Sequence, residues 1–228
     1  MIEARNSSQD DPSLLVKQSL AAKLREEIIR GQLAPGQRII EGYWARKFGV
    51  AQTSVREAIN LLISEGFATK ASGRSARVTS YSEADIAQIY EIRGALEGLA
   101  AGLTAQRQPN LEPLEASLKE MRKAMKSGEI RKLIEADLGF HLSLCELCGN
   151  RFLNAQIRTL LVPLFAFVAM RVVQGHRAAQ EWEADLDRHK RIIELIREGD
   201  PYAAEFAVRA SMQQFARRAY AIWQRPEA

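Results

Sequence analysis

Hydrophobic positions recur with helical spacing over most of the chain. Between residues 14 and 30, Leu20, Leu24 and Ile28 stand at i, i+4 and i+8 with charged residues between them, which predicts one amphipathic helix; Gly31 and the Pro35-Gly36 pair end it. A short second helix is predicted over 41–48, with Trp44, Ala45 and Phe48 on one face and Gly49 as its stop. A third follows almost at once over 52–65. There Val55, Ala58, Ile59 and Leu62 form one stripe, while Gln52, Arg56 and Asn60 stand at i, i+4 and i+8 on another. Two helices separated by a short glycine-containing turn make the helix-turn-helix pattern.

After Gly66 the period shortens. Residues 67–70 and 76–79 read as short strands on either side of segment 71–75, a two-stranded wing. Beyond Ser82 the strand signal stops and helical stretches follow over 83–106, 111–127, 129–147, 152–175, 179–198 and 202–223, punctuated by Pro109, Gly128, Gly149-Asn150, Gly175 and Gly199-Asp200-Pro201. The expected fold class is mainly α. A flexible tail, residues 1–12, leads into a winged helix-turn-helix domain over 13–80, then an all-α antiparallel helical bundle over 83–225.

Composition changes this picture in one respect. Of the 228 residues 46% are hydrophobic and 26% charged, the balance of a chain with a real core. The net charge of +4 lies entirely in the first 80 residues, which hold 12 Lys+Arg against 8 Asp+Glu, whereas the rest hold 20 of each. The basic third is therefore the candidate nucleic-acid surface. No apolar run is read as reaching the ~18 residues of a membrane span, and the first residues are unlike a signal peptide, so a cytoplasmic protein with no membrane partner is expected. Cys145 and Cys148, close together on one helix, are expected to be core residues, with a redox pair as the alternative.

The stretch Gly31-Gln-Leu-Ala-Pro-Gly-Gln-Arg38, then Glu41, then Phe48-Gly-Val-Ala-Gln-Thr-Ser-Val-Arg-Glu-Ala58 and Leu61-Leu-Ile-Ser-Glu-Gly66 resembles the winged helix of the GntR family. Arg93-Gly-Ala-Leu-Glu97, Asp137-Leu-Gly-Phe-His141, Gly149-Asn150 and His189 are similar to the FCD ligand-binding domain of its FadR subgroup. The resemblance implies a transcription repressor or activator, working as a homodimer on operator double-stranded DNA and answering to a small organic acid.

A helix in the major groove presents three or four side chains from the face opposite its buried stripe. Gln52, Thr53, Arg56 and Asn60 meet that geometry, and the resemblance places an operator contact at Arg56. Arg74 and Arg77 are the wing candidates, with a merely solvating role as the alternative. Two residues depart from the family pattern: Gln52 stands where arginine is usual, and Ala51 where serine or threonine caps the helix. Glutamine pairs bidentately with adenine and arginine with guanine, so a different operator is expected.

Asp137 and His141, at i and i+4, share one helix face, and His189 lies on another helix. The family's metal set is similar to Asp, His, His and a further His at the position held here by Ser211, a far weaker ligand for zinc- or nickel-like ions. A weakened divalent-metal site, a metal-free polar pocket and satisfied core residues all remain open, with Asp185 a conceivable substitute ligand. His176 is expected at the surface. The resemblance also makes Arg93 and Asn150 effector-binding. For Arg93 this means pairing with a carboxylate, against the plainer reading of a salt bridge to Glu97. Two competing functions are a metal-dependent helical enzyme using Asp137, His141 and His189, and a DNA-binding scaffold with a vestigial pocket. The enzyme reading lacks paired Glu-x-x-His motifs, since Leu138 and Leu186 precede the two histidines by three, and it leaves the winged helix unexplained.

Overall fold

The computed structural model describes residues 12–71, 74–174 and 179–223, so the expected tail up to residue 11 and His176 lie outside the described residues. The chain divides into two compact units, Met1–Ser80 and Tyr81–Ala228.

In the first unit α1 (Pro12–Ile29), α2 (Glu41–Phe48) and α3 (Gln52–Ser64) precede β1 (Ala68–Thr69) and β2 (Arg77–Val78). The stripe of α1, Leu20, Leu24 and Ile28, is buried together with Val55, Ala58, Ile59 and Leu62 of α3. Removing such side chains from water drives the association of two helices whose other faces stay polar. Arg25 and Glu65 then tie α1 to the end of α3 at 2.5 Å. In the wing Ala68 pairs with Val78 and Thr69 with Arg77. Both strands are shorter than the four-residue runs read from the sequence. Their sheet nevertheless extends further sideways, because Ile39 N–H donates to Ala76 O at 2.9 Å and Val78 N–H to Gln37 O at 2.9 Å. Segment 36–39 thus covers the outer edge of β2. Local pattern marks Pro35-Gly36 as a stop, but which edge the following residues pair with is a long-range matter.

The second unit is helical: α4 (Glu83–Arg107), α5 (Glu112–Ser127), α6 (Ile130–Leu147), α7 (Arg151–Gln174), α8 (Ala179–Glu198) and α9 (Pro201–Trp223). A capping box opens α4, with Ser82 Oγ accepting from Asp85 N–H while the Asp85 carboxylate accepts from Ser82 N–H. Gly94, Gly98 and Gly102 line the side of α4 that meets α9, where a Cβ on Gly98 would lie 3.0 Å from Arg209 Cγ and one on Gly102 would lie 3.2 Å from Pro201 O. The missing side chains let the two backbones approach closely. One sequence expectation needs correction here: Arg151–Met170 is long and apolar enough to cross a membrane by length and composition. Leu153, Ile157, Leu161, Leu164, Phe165 and Phe167 of this helix are buried within the unit. These buried residues recur every three or four positions, so the apolar stretch supplies a face of this unit's core.

Gly149 has φ +70°, in the left-handed region, and a Cβ there would fall 2.5 Å from Arg107 Cζ. Gly139, inside α6, would meet only Ser117 Oγ at an ordinary 3.5 Å. Gly149→Ala should therefore lower the stability of the helical unit by about 1–2 kcal/mol, whereas Gly139→Ala should raise it by roughly 0.5–1 kcal/mol. Urea unfolding of both variants checks the two signs.

Candidate functional site

The first candidate surface lies along α3. Val55, Ala58, Ile59 and Leu62 fill the core, which turns Gln52, Thr53, Arg56 and Asn60 outward, and all four are exposed. Ala51 occupies the N-cap with extended backbone and no side-chain cap bond, so the first amide groups of α3 lack a protein side-chain acceptor there. Sequence reading did not anticipate the partner that Arg56 finds in Glu41, in the first turn of α2. Arg56 Nη2 donates to Glu41 Oε2 at 2.8 Å and Arg56 Nε to Oε1 at 3.1 Å, while Gln52 Nε2 donates to the same Oε2 at 3.1 Å. The Arg56 bond is the main reason the Glu41 carboxyl titrates below its usual range. The acid at position 41 was visible in the sequence; its proximity to position 56 was not. In the wing, Arg77 Nη1 donates to Gly36 O at 2.9 Å, and Arg74 is exposed.

The second candidate lies inside the helical unit. Asp137 and His141 come from one face of α6 and His189 from α8, and their ligand atoms all lie within 4.8 Å of one another. Asp137 Oδ1 stands 3.0 Å from His189 Nε2 and 3.4 Å from His141 Nε2. Asp137 Oδ1 and His189 Nε2 are buried without meeting hydrogen-bond geometry. Each imidazole is held from behind. His189 Nδ1 contacts Asp185 O at 2.7 Å, and since a carbonyl only accepts, that nitrogen carries the proton. His141 Nδ1 lies 2.5 Å from Glu97 Oε2. Both Nε2 atoms are thereby aimed at Asp137, and outer partners of this kind orient histidines that ligate metals. Phe140 stacks edge-on against His189 at 4.4 Å, and Phe165 and Phe215 flank the two imidazoles. The donor set suits a divalent ion: a carboxylate oxygen, two imidazole nitrogens and buried lone pairs that no hydrogen bond satisfies.

Glu97 links this group to α4. Its Oε1 accepts from Arg93 Nε at 2.7 Å, and both side chains are almost wholly buried, at 0% and 2%. The plain salt bridge is thus present, yet Arg93 Nη2 is buried with no hydrogen-bond partner, while the guanidinium faces the rings of Tyr90 and Phe165 at 4.8 and 5.1 Å. Burial opposes every charge here. Arg93 and His141 nevertheless hold Glu97 down at about 2, and Glu97 and Asp137 lift His141 to about 9.

The remaining expectations fall in different places. Ser211 is buried on α9, and its hydroxyl donates to Ala207 O at 2.8 Å. It lies one turn before Phe215, whose ring is 6.3 Å from His189. Asp185 lies outside the metal-type group; its backbone carbonyl holds His189 and its carboxylate meets Arg188 at 3.3 Å. Asn150 caps α7, its Oδ1 accepting from Phe152 and Leu153 N–H at 3.1 Å each. Cys145 and Cys148 are free and buried, and burial drives the Cys145 thiol well above its usual range, which suits core residues and not a reactive pair.

Two family models match the chain: bacterial regulatory proteins of the gntR family over residues 16–78, and the FCD domain over residues 88–214. The HTH-type transcriptional regulator YdhC of Bacillus subtilis (strain 168) is 31% identical over 186 residues, covering 80% of this chain and 81% of its own. A probable D-xylose utilization operon transcriptional repressor of Paenarthrobacter nicotinovorans is 28% identical over 201 residues, covering 85% and 86%. Among solved structures, E. coli McbR/YncC shares the fold at a TM-score of 0.74 and 20% identity, covering 92% of this chain and 99% of its own.

Glu97 compensates two buried cationic groups at once. Glu97→Ala should destabilise the helical unit by about 3–5 kcal/mol, because Arg93 is left buried and unpaired. The Arg93→Met/Glu97→Leu pair should lose much less than the two single losses added together. Denaturant titration of Glu97→Ala, Arg93→Met, Glu97→Leu and the pair measures this, and additive losses would show that the two side chains are not coupled.

Proposed function

The chain belongs to the GntR family of bacterial regulatory proteins, with an FCD domain after its winged helix, and we propose that it reads operator DNA through α3 and senses a small carboxylate in its helical unit. Its relatives are transcription regulators, and the enzyme alternative finds no support among them. The observation that carries the DNA reading is the exposed row Gln52, Thr53, Arg56 and Asn60 on a helix whose opposite face is core. Arg74 and Arg77 are the candidate backbone contacts of the wing. A homodimer is the expected binding species, since one short recognition helix reads few base pairs and two-fold symmetry matches a palindromic site. A regulator of this kind works where the chromosome is, in the cytoplasm.

Some FCD domains bind a metal, and Asp137, His141 and His189 form a candidate group for one here. We take zinc or nickel as the ion that two imidazoles and a carboxylate suit best, with Ser211 leaving the set one strong ligand short. A bound divalent ion would supply a positive centre to which effector oxygens can bind. With both imidazoles neutral, the charges of Arg93, Glu97, Asp137 and such an ion leave one positive charge over, which a carboxylate would balance. The unpartnered Nη2 of Arg93 supports the same ligand class. Asn150, whose oxygen is engaged in capping α7, could contribute only its amide nitrogen.

Selection from random duplexes, performed with the wild-type protein, should return a two-fold symmetric sequence, bound by a dimer in sedimentation. Arg56→Ala should weaken binding to it by roughly 1–3 kcal/mol, and Gln52→Arg should shift the selected half-site towards guanine. Failure to enrich any sequence would overturn the DNA reading. For the metal, Ser211→His should raise zinc or nickel affinity substantially, and adding His141→Ala should cancel the gain. Equal metal content and equal thermal stabilisation by zinc in wild type and both variants would leave a metal-free pocket around Arg93.

A further inference from the structure

The carboxylate of Glu41 is an unexpected group to find on a surface meant for phosphates. It stands at the start of α2, with its side chain 23% exposed, beside the row of α3 residues that face outward. An isolated negative charge there would repel DNA. It is not isolated. Arg56 engages it through Nε and Nη2, Gln52 donates to the same Oε2, and Lys70 adds a more distant positive field.

The way Arg56 is held decides what it can do. A guanidinium has a side edge, formed by Nε and Nη2, and an end edge, formed by Nη1 and Nη2. Glu41 takes the side edge, since its contacts fall on Nε and Nη2. The end edge remains available, with one N–H on each terminal nitrogen pointing away from the carboxylate. Those two parallel donors match the O6 and N7 acceptors of guanine in the major groove. Gln52, fixed by the same carboxylate oxygen one turn earlier, keeps its amide oxygen available to accept. The two side chains therefore share one anchor.

We propose that Glu41 is a positioning residue for base reading: it clamps the side edge of Arg56 and the amide of Gln52, so that α3 presents a fixed end-on fork to a guanine and not a mobile cation to any phosphate. The idea rests on the DNA-reading role of α3. Glu41 gives up some general affinity for DNA, because it cancels one positive charge, and gains discrimination between sequences.

The test uses the full-length protein, the duplex selected by the wild type and a scrambled duplex of the same length. Affinity for each is measured across a range of salt for wild type, Glu41→Ala, Glu41→Gln, Arg56→Ala and the Glu41→Ala/Arg56→Ala pair. Thermal melts establish that each variant is folded at the assay temperature. Glu41→Ala should bind the scrambled duplex more tightly than wild type, with a salt slope steeper by up to roughly 0.9. Its preference for the selected duplex should fall about tenfold or more, as expected when a bidentate base contact is disordered. Glu41→Gln, which keeps an acceptor but not the charge, should lie between. In the Arg56→Ala background the Glu41→Ala change should leave the preference nearly unaltered.

A Glu41→Ala protein that is folded and keeps the wild-type preference would overturn the proposal and make Glu41 a mere tie between α2 and α3. One that binds both duplexes more tightly by the same factor would overturn it too, as a simple electrostatic brake. If the wild type selects no duplex, the DNA reading itself has failed, an outcome distinct from both.

Discussion

The helical unit is organised around a carboxylate that has no access to water. Glu97 sits on α4 between Arg93 of its own helix and His141 of α6. A charge taken out of water costs several kcal/mol even after relaxation, so the fold must bring cationic partners to it with good geometry. That requirement fixes how α4 and α6 meet. It also turns His141 so that its second nitrogen points at Asp137, which in turn faces His189 of α8. Three helices thus contribute to one buried polar group, Glu97 from α4, Asp137 and His141 from α6 and His189 from α8.

The aromatic rings around this chain give it its strength. Phe140, Phe165 and Phe215 exclude water from the imidazoles, and Tyr90 and Phe165 flank the guanidinium of Arg93. Low local polarity magnifies both attraction and the cost of an unmet partner. The unpaired Nη2 of Arg93 and the lone pairs at Asp137 and His189 that meet no hydrogen-bond geometry are therefore costly where they stand. Under the proposed function, a cation near Asp137 and an anion near Arg93 would answer opposite deficits within one cluster.

The winged-helix unit uses the same pairing of chemistry in water. Glu41 and Arg56 form a bidentate contact, whereas Glu97 and Arg93 share a single bond, but with Arg56 half exposed the surface pair is screened and contributes little to stability. Its value is geometric. An exposed arginine has many rotamers, and a fixed carboxylate selects those in which one edge of the guanidinium is taken and the other is free.

Periodicity alone determined the order and type of the elements. Apolar residues every three or four positions mark each helix, and the glycines at 49, 128, 149 and 199 mark stops that the backbone takes at positive φ. Asp137 and His141 were legible as one face because i and i+4 are local neighbours on any helix. What pairs across the fold was not legible. The meeting of Glu41 with Arg56, of Glu97 with His141, and of segment 36–39 with β2 joins residues 15 to about 40 positions apart. Such contacts depend on how helices and strands pack, which no local pattern encodes. The cap that Asn150 makes on α7 is, by contrast, a local contact, its oxygen accepting from amides two and three residues on.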